Sequence, residues 1–163
     1  MTVTLDTNVL FQALYGRSGA SHAVFRMIRD GQVKLALSVP VFEEYRAVLN
    51  RPQNLELLGR TRAEVDTVLR FIAFVATPVV VHFLWRPNLD DEEDNMFVKL
   101  AVASGSDFLI TQNTKDFLQG AELKHDSFEI VTPFQFLTEW RKNHGESEEH
   151  VDDSRSGRLE KSY

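Results

Sequence analysis

The sequence predicts an α/β fold with a central, mostly parallel sheet of about five strands. Two observations carry this prediction. Short apolar segments of strand length alternate along the chain with longer segments whose apolar residues recur at helical spacing. The length of 163 residues, 43% of them hydrophobic, is enough for one domain with a substantial core.

The first half of the chain predicts two strands, each followed by helices. Val3 and Leu5 precede a polar triplet at 6–8, which predicts a buried strand that ends in a turn, with a helix after it. The apolar alternation over 33–38 predicts the second strand, and Pro40 is expected at the first position of the next helix. Apolar residues at helical spacing predict helices over 21–29, 40–49 and 61–75.

The second half predicts three more strands. Val79–Val81 forms a short apolar run after Thr77-Pro78 and is expected to be the third strand. Residues 94–103 are apolar nearly all round, so they predict a buried helix that ends before Gly105. The last two strands are expected at 107–111 and 128–131, and a capping box with Thr132 at the N-cap opens a final helix.

The domain is expected to span residues 1–141, followed by a polar, disordered tail at 142–163. The net charge of −6 is uneven: Asp90–Asp94 carries −5 and residues 142–163 carry −2, which leaves +1 on the rest of the chain. A broad basic nucleic-acid face is therefore not predicted. The absence of cysteine excludes disulfides and thiolate metal sites and fits the cytoplasm, and no segment predicts a membrane span or a secretory signal.

Acidic side chains are expected at the carboxyl edge of the predicted sheet, where ligands bind in open α/β sheets. Asp6 ends the first strand, and Asp116 follows the fourth strand after a Thr111–Asn113 triplet. The third strand leads into the acidic cluster, Asp90–Asp94. Asp6 also fits an Asx-turn and Asp116 a helix cap, so each has a structural alternative.

Helical geometry separates the two glutamates of the third predicted helix. With Val41 at 0° and about 100° per residue, the apolar stripe runs from about −20° to 100°. Glu43 falls near 200°, facing solvent, and Glu44 near 300°, at the shoulder of the stripe. Glu44 is therefore the one that can reach a cleft edge, although a boundary residue paired with Arg46 or a lysine is the alternative.

Asp94 lies on the central apolar stripe of the helix that it begins, where a carboxylate is costly unless it is capped, paired or liganded. Asp91 at the N-cap with Asp94 three residues later would make a helix cap. Five successive acids exceed what a cap needs, and two carboxylates ~4 Å apart repel by roughly 4 kcal/mol at an effective dielectric constant of 20. A divalent cation would reverse that sign.

Other catalytic arrangements are not supported. The histidines lack metal-ligand spacing, no GxSxG motif is present, and the Gly16–Gly19 segment lacks the ending of a phosphate-binding loop. What remains is a group of carboxylates without soft ligands, which favours Mg²⁺ or Mn²⁺ and phosphoryl-transfer chemistry.

Five segments, in order over about residues 2–140, resemble the PIN domain family of metal-dependent ribonucleases, especially VapC-type toxins. The opening Leu5-Asp-Thr-Asn-Val9 is similar to the family's first strand end. The other matching segments are Leu37–Pro52 with Glu44, Asp91–Ala101 with Asp94, Leu109–Phe117 with Asp116, and Val131–Leu137.

The resemblance implies a three-layer α/β/α sandwich and a Mg²⁺ or Mn²⁺ pocket that hydrolyses RNA to 5′-phosphate and 3′-hydroxyl ends. The residues that it assigns to catalysis and metal binding are Asp6, Glu44, Asp94 and Asp116, with Asp91 as a further metal ligand. Thr7, Asn8, Thr111 and Asn113 would orient the ligands or waters. The resemblance also implies an antitoxin partner and a homodimer.

Two other functions are weighed against the ribonuclease. One is a PIN-fold nucleic-acid-binding or scaffold protein with weak catalysis, which the presence of all four acids disfavours. The other is a phosphohydrolase with Asp6 as nucleophile, which would need a second aspartate where Asn8 stands.

Overall fold

Five short strands form one parallel sheet in the computed structural model, which describes residues 1–82, 92–118 and 127–145, with the backbone alone at 92–95 and 118. The sheet has the order β3-β2-β1-β4-β5, and every adjacent pair is parallel. The strands are β1 (Thr2–Leu5), β2 (Lys34–Leu37), β3 (Thr77–Pro78), β4 (Phe108–Ile110) and β5 (Glu129–Val131).

Helices connect the strands and cover the sheet. They are α1 (Thr7–Tyr15), α2 (Ala20–Arg29), α3 (Val39–Leu49), α4 (Pro52–Leu58), α5 (Arg62–Val75), α6 (Glu92–Ser104), α7 (Thr114–Leu118) and α8 (Pro133–His144). Helix α6 packs on β1, β2 and β4, whereas α8 packs on β4 and β5 and against α2. The predicted three-layer α/β/α architecture is confirmed.

The central strand β1 is buried on both faces. Val3, Thr4 and Leu5 point alternately to opposite sides of the sheet, and none of them is more than 1% exposed. Thr4 meets its hydrogen-bonding need inside the core through Ser106, whose hydroxyl lies 2.9 Å from its own. This burial fixes the position of β1 in the middle of the molecule. It therefore also fixes the position of Asp6, which follows Leu5.

Side chains at the helix starts match the sequence patterns. The Ser38 hydroxyl accepts a hydrogen bond from the Val41 amide, and complete capping boxes open α5 and α8 at Thr61 and Thr132. Gly105 adopts a φ of +61° just after α6, a conformation that favours glycine, so the chain turns there toward β4.

Three local expectations were wrong. The third strand is Thr77–Pro78 rather than Val79–Val81, because β3 is an edge strand, where a proline without an N–H is tolerated. Pro40 is the second residue of α3, not the first, because Ser38 caps the helix one residue earlier than expected. The short helices α4 and α7 were not predicted, since neither has enough turns to show a helical period.

Two sequence-based expectations fall on residues outside the described part of the chain. These are the loop at 83–91, which carries Asp90 and Asp91 of the acidic cluster, and most of the polar tail, at 146–163. The other acids of the cluster lie in the first turn of α6, which begins at Glu92, two residues earlier than expected. Helix α8 runs to His144, three residues past the expected end of the domain. None of the helices in the described residues is both long and apolar enough to cross a membrane.

Replacing the α5 cap should destabilise the protein. Thr61→Ala removes the hydroxyl that accepts from the Glu64 amide, so we expect the free energy of unfolding to fall by about 1 kcal/mol. Urea denaturation followed by circular dichroism measures it. Thr67→Ala is the matched control, because Thr67 lies inside the same helix and is exposed. An equal loss in both variants would contradict the capping role.

Candidate active site at the carboxyl edge of the sheet

Strand pairing brings the end of β1 beside the end of β4. Leu5 is in register with Ile110, and the Asp6 amide donates to the Ile110 carbonyl at 2.9 Å. The next residue of each strand therefore faces the other: the Thr111 hydroxyl donates to Asp6 Oδ2 at 2.7 Å. Two predicted site residues 105 positions apart in sequence are thus joined by a buried hydrogen bond.

Asp6 is the residue between β1 and α1 and is only 7% exposed. Burial raises the pKa of this carboxyl, because desolvation disfavours its charged form. The Thr111 hydroxyl and the amides of Thr7 and Asn8 act in the opposite direction, while the nearby Asp116 charge raises the pKa further. The charged form of the Asp6 carboxylate is therefore destabilised by burial, and a bound cation would stabilise it.

Thr111 also links Asp6 to the segment after β4. Its hydroxyl donates to Asp6 and accepts a hydrogen bond from the Asn113 amide at 3.1 Å. The Asn113 side-chain amide in turn donates to the Asp116 carboxylate, in the first turn of α7. A chain of hydrogen bonds therefore runs from Asp6 through the buried Thr111 hydroxyl and Asn113 to Asp116.

The two glutamates of α3 differ as the helical angles predict. Glu43 is exposed, and its carboxylate lies 2.5 Å from the Arg46 guanidinium. Glu44 is half-buried and lines the same cleft as Asp6 and Asp116.

Tyr45 is a residue of this site that the sequence did not single out. Its hydroxyl donates to the Leu5 carbonyl at 2.5 Å, one residue before Asp6, and its side chain is fully buried. Burial raises the pKa of Tyr45 above its usual range, and the Asp6 charge adds to this, so the phenol stays a neutral donor. Its place in the apolar stripe of α3 had indicated a core residue only.

The open part of the site is a cleft of about 350 Å³. The residues predicted for the site that line it are Asp6, Thr7, Asn8, Glu44, Asn113 and Asp116. Sequence reasoning did not find its other lining residues, which are Phe11, Gln12, Val48, Asn54 and Phe97. Most of these are apolar or lie on helix faces, and nothing in their local sequence distinguishes them from ordinary packing residues.

The structure gives no side-chain position for the other two predicted acids, Asp91 and Asp94. Asp91 lies outside the described residues, and Asp94 is in α6, but its side chain is not described. Phe97, one turn further along α6, lines the cleft. Helix α6 therefore contributes to this wall of the site.

The donor set of the cleft suits a hard divalent cation. Asp6, Glu44 and Asp116 supply carboxylate oxygens, and the Thr7 hydroxyl is buried with no hydrogen-bond partner among the described residues. No three acidic or histidine side chains of the described set lie close enough together to hold an ion by themselves. The side chains that line the cleft fit Mg²⁺ or Mn²⁺ in chemical type.

The burial of Asp6 predicts a pH-dependent stability in EDTA. Since its pKa is raised in the folded protein, the native state binds more protons than the unfolded one, and stability falls as pH rises above the ordinary aspartate value of 3.8. Asp6→Asn should lack this loss. We take the free energy of unfolding of Asp6→Asn minus that of the unmodified protein. We expect this difference to increase as pH rises and to level off above the raised pKa of Asp6.

Urea titrations between pH 3 and 8 measure this difference. Asp30→Asn is a control of opposite sign, because the Arg29 side chain lowers the pKa of the exposed Asp30. Its relative stability should fall as pH rises through the aspartate range. A difference for Asp6→Asn that does not change with pH would refute the assignment of Asp6 as a strained, buried acid.

Two comparisons with known proteins find matches: a family model matches the sequence, and a solved structure matches the fold. Residues 2–115 match the model of the PIN domain. A chain of a solved structure, VapBC2 from Rickettsia felis bound to a DNA fragment from their promoter, superposes with a TM-score of 0.57 and 13% identity. The match covers 81% of this chain and 98% of that one, and at this identity it shows the fold alone.

A search of curated proteins finds no match. The family match spans more than two thirds of the chain and includes Asp6, Glu44 and the Thr111–Asn113 segment. The protein therefore belongs to the PIN domain family, a superfamily of nucleases.

Proposed function

We propose that this protein is a Mg²⁺- or Mn²⁺-dependent endoribonuclease and the toxin of a toxin–antitoxin pair. The observation that carries the proposal is the convergence of three carboxylates from separate elements on one cleft of a PIN domain. Asp6 comes from the end of β1, Glu44 from α3 and Asp116 from α7. Such a group of hard oxygen ligands at the carboxyl edge of a parallel sheet suits phosphodiester hydrolysis.

Asp6, Glu44, Asp94 and Asp116 would hold the cation, with Asp91 as a further ligand. When bound, the cation would supply charge neutralisation for the phosphodiester and an activated water for in-line attack. Burial and the Asp116 charge together raise the pKa of Asp6, so its charged form is disfavoured without a cation. This chemistry makes cation binding favourable at the cleft.

The chain's own residues keep the acids in place. Thr111 fixes the Asp6 carboxylate from the neighbouring strand, and Asn113 holds Asp116. The Asn8 carboxamide accepts from the Gln112 amide at 3.2 Å, which ties the start of α1 to the end of β4. Tyr45 anchors the Leu5 carbonyl, so the residue before Asp6 cannot shift without breaking a buried hydrogen bond.

The proposed partners are RNA as substrate, an antitoxin protein and a second copy of this chain in a homodimer, all in the cytoplasm. The solved structure with the same fold is a VapBC complex bound to promoter DNA, and this supports an antitoxin partner for the present chain. The proposed contacts to RNA phosphates are the exposed Arg17, Arg46, Arg51 and Lys115 and the half-buried Lys99.

Removing one acid of the cleft should abolish cleavage. We expect Asp6→Asn and Asp94→Asn each to lower Mn²⁺-dependent cleavage of a mixed single-stranded RNA pool by roughly a hundredfold or more, because loss of a ligand costs at least as much as loss of its orienting partner. Gel analysis with an EDTA control and a DNA pool of the same sequence measures it. Both variants should remain folded by circular dichroism.

Full activity in both variants would disprove the proposed mechanism. Absence of cleavage by the unmodified protein, with Mn²⁺ still raising its melting temperature, would point instead to a PIN-fold scaffold or nucleic-acid-binding protein.

The neighbouring glutamates of α3 offer a matched pair. Glu44→Gln should lower cleavage by roughly ten- to a hundredfold, because Glu44 lines the cleft. Glu43→Gln should change it by less than about twofold, since Glu43 is exposed and pairs with Arg46. Initial rates under identical Mn²⁺ concentrations make the comparison. Equal losses would contradict the orientation of α3 at the site.

A further inference from the structure

A second hollow of about 530 Å³ lies beside the cleft and carries two exposed aromatic side chains. We call it the aromatic groove. Its walls are the end of α1, the loop to the start of α2, Gln112 after β4, and the start of α8. Tyr15 is 57% exposed on the first wall and Phe134 is 71% exposed on the last. Neither ring is used to build the core.

The aromatic groove is continuous with the acidic cleft. Gln12 lines both hollows. Phe11 lines the cleft and stacks on Tyr15, with ring centroids 6.1 Å apart and an interplanar angle of 12°. The two rings lie one turn apart on α1, so aromatic surface runs from one hollow into the other. A chain molecule bound in the cleft can therefore extend into the groove.

The two hollows differ in charge. The cleft is lined by three carboxylates, whereas none of the eleven residues that line the groove is charged. Arg17 lies in the loop between two lining residues, is exposed, and is not part of an ion pair with any described residue. A polyanion that meets repulsion at the acids meets none in the groove, and a cation stands at its rim.

The groove wall is also fixed to the site. The Gln112 side-chain amide donates to the Ser21 hydroxyl at 2.7 Å, and its backbone amide donates to Asn8 in the cleft. Gln112, the residue after Thr111, therefore connects the groove to the cleft. The two rings lie on α1 and α8, so packed helices set their position relative to Asp6.

We propose that the aromatic groove binds an unpaired base of single-stranded RNA, next to the nucleotide whose phosphodiester lies in the cleft. This inference rests on the proposed nuclease function and extends it to a substrate subsite. Tyr15 and Phe134 provide the stacking surfaces, and Arg17 contacts the backbone phosphate. Stacking on aromatic rings is how proteins commonly bind unpaired bases, and it excludes a base that is held in a duplex.

The first test measures affinity. A fluorescein-labelled single-stranded RNA of about twelve nucleotides is titrated by anisotropy with the full chain in Mg²⁺, in an Asp6→Asn background that leaves the probe intact. Tyr15→Leu and Phe134→Leu should each raise Kd by about tenfold, because the stacking ring is lost. Tyr15→Phe should keep the affinity, since it retains the ring.

Phe74→Leu is the matched control. Phe74 is 87% exposed on α5 and lies outside the groove, so the same loss of an exposed ring should change Kd by less than about twofold. A hairpin RNA of the same composition should bind more weakly than the single strand and should not respond to Tyr15→Leu. Photocrosslinking of a 5-iodouridine RNA, mapped by mass spectrometry, should mark Tyr15 or Phe134.

The outcomes separate this inference from the proposed function. Unchanged affinity in both leucine variants, with cleavage intact in the unmodified protein, overturns the base subsite and leaves the nuclease standing. Weakened RNA binding without any metal-dependent cleavage by the unmodified protein supports the subsite and overturns the nuclease. A change in oligomeric state by size exclusion, with unchanged RNA affinity, overturns the subsite and assigns the groove to a protein partner.

Discussion

A buried carboxylate at the end of the central strand is the constraint on which the site depends. Asp6 is placed there because β1 is covered on both faces, and burial disfavours its charge. The Thr111 hydroxyl and the first amides of α1 offset part of that cost, and a cation would offset more. These hydrogen bonds therefore stabilise the buried charge of Asp6 at the carboxyl edge of the parallel sheet.

That constraint extends to two further elements. Tyr45 bonds the carbonyl just before Asp6, so α3 is fixed against β1, and Glu44, the preceding residue of α3, is fixed at the cleft. Asn113 does the same for Asp116 beyond β4. Asp6 and Asp116 are thus each held by a neutral neighbour, Thr111 and Asn113 respectively.

In the proposed nuclease, the acidic cleft and the aromatic groove would bind different parts of a polyanion. Carboxylates suit a cation and a phosphodiester but repel the rest of an RNA chain, whereas an uncharged surface with exposed rings holds bases without that penalty. Their junction at Gln12 and the Phe11–Tyr15 stack places the two chemistries on adjacent turns of α1. Affinity would then come from the groove and reaction from the cleft.

The sequence by itself determined the parts of this protein that local patterns encode. Apolar periodicity predicted four of the five strands of the described sheet and the long helices, and capping boxes predicted the starts of α5 and α8. Helical angles alone distinguished Glu44 from Glu43. Only the tertiary structure decided that Thr111 bonds Asp6 across 105 residues, that Tyr45 anchors β1, and that Tyr15 and Phe134 face one groove. The tertiary structure also decided the short edge strand Thr77–Pro78, because pairing with β2 defines this strand and its own two residues show no strand pattern. Contacts between distant segments depend on how the helices pack on the sheet, and no local periodicity records that packing.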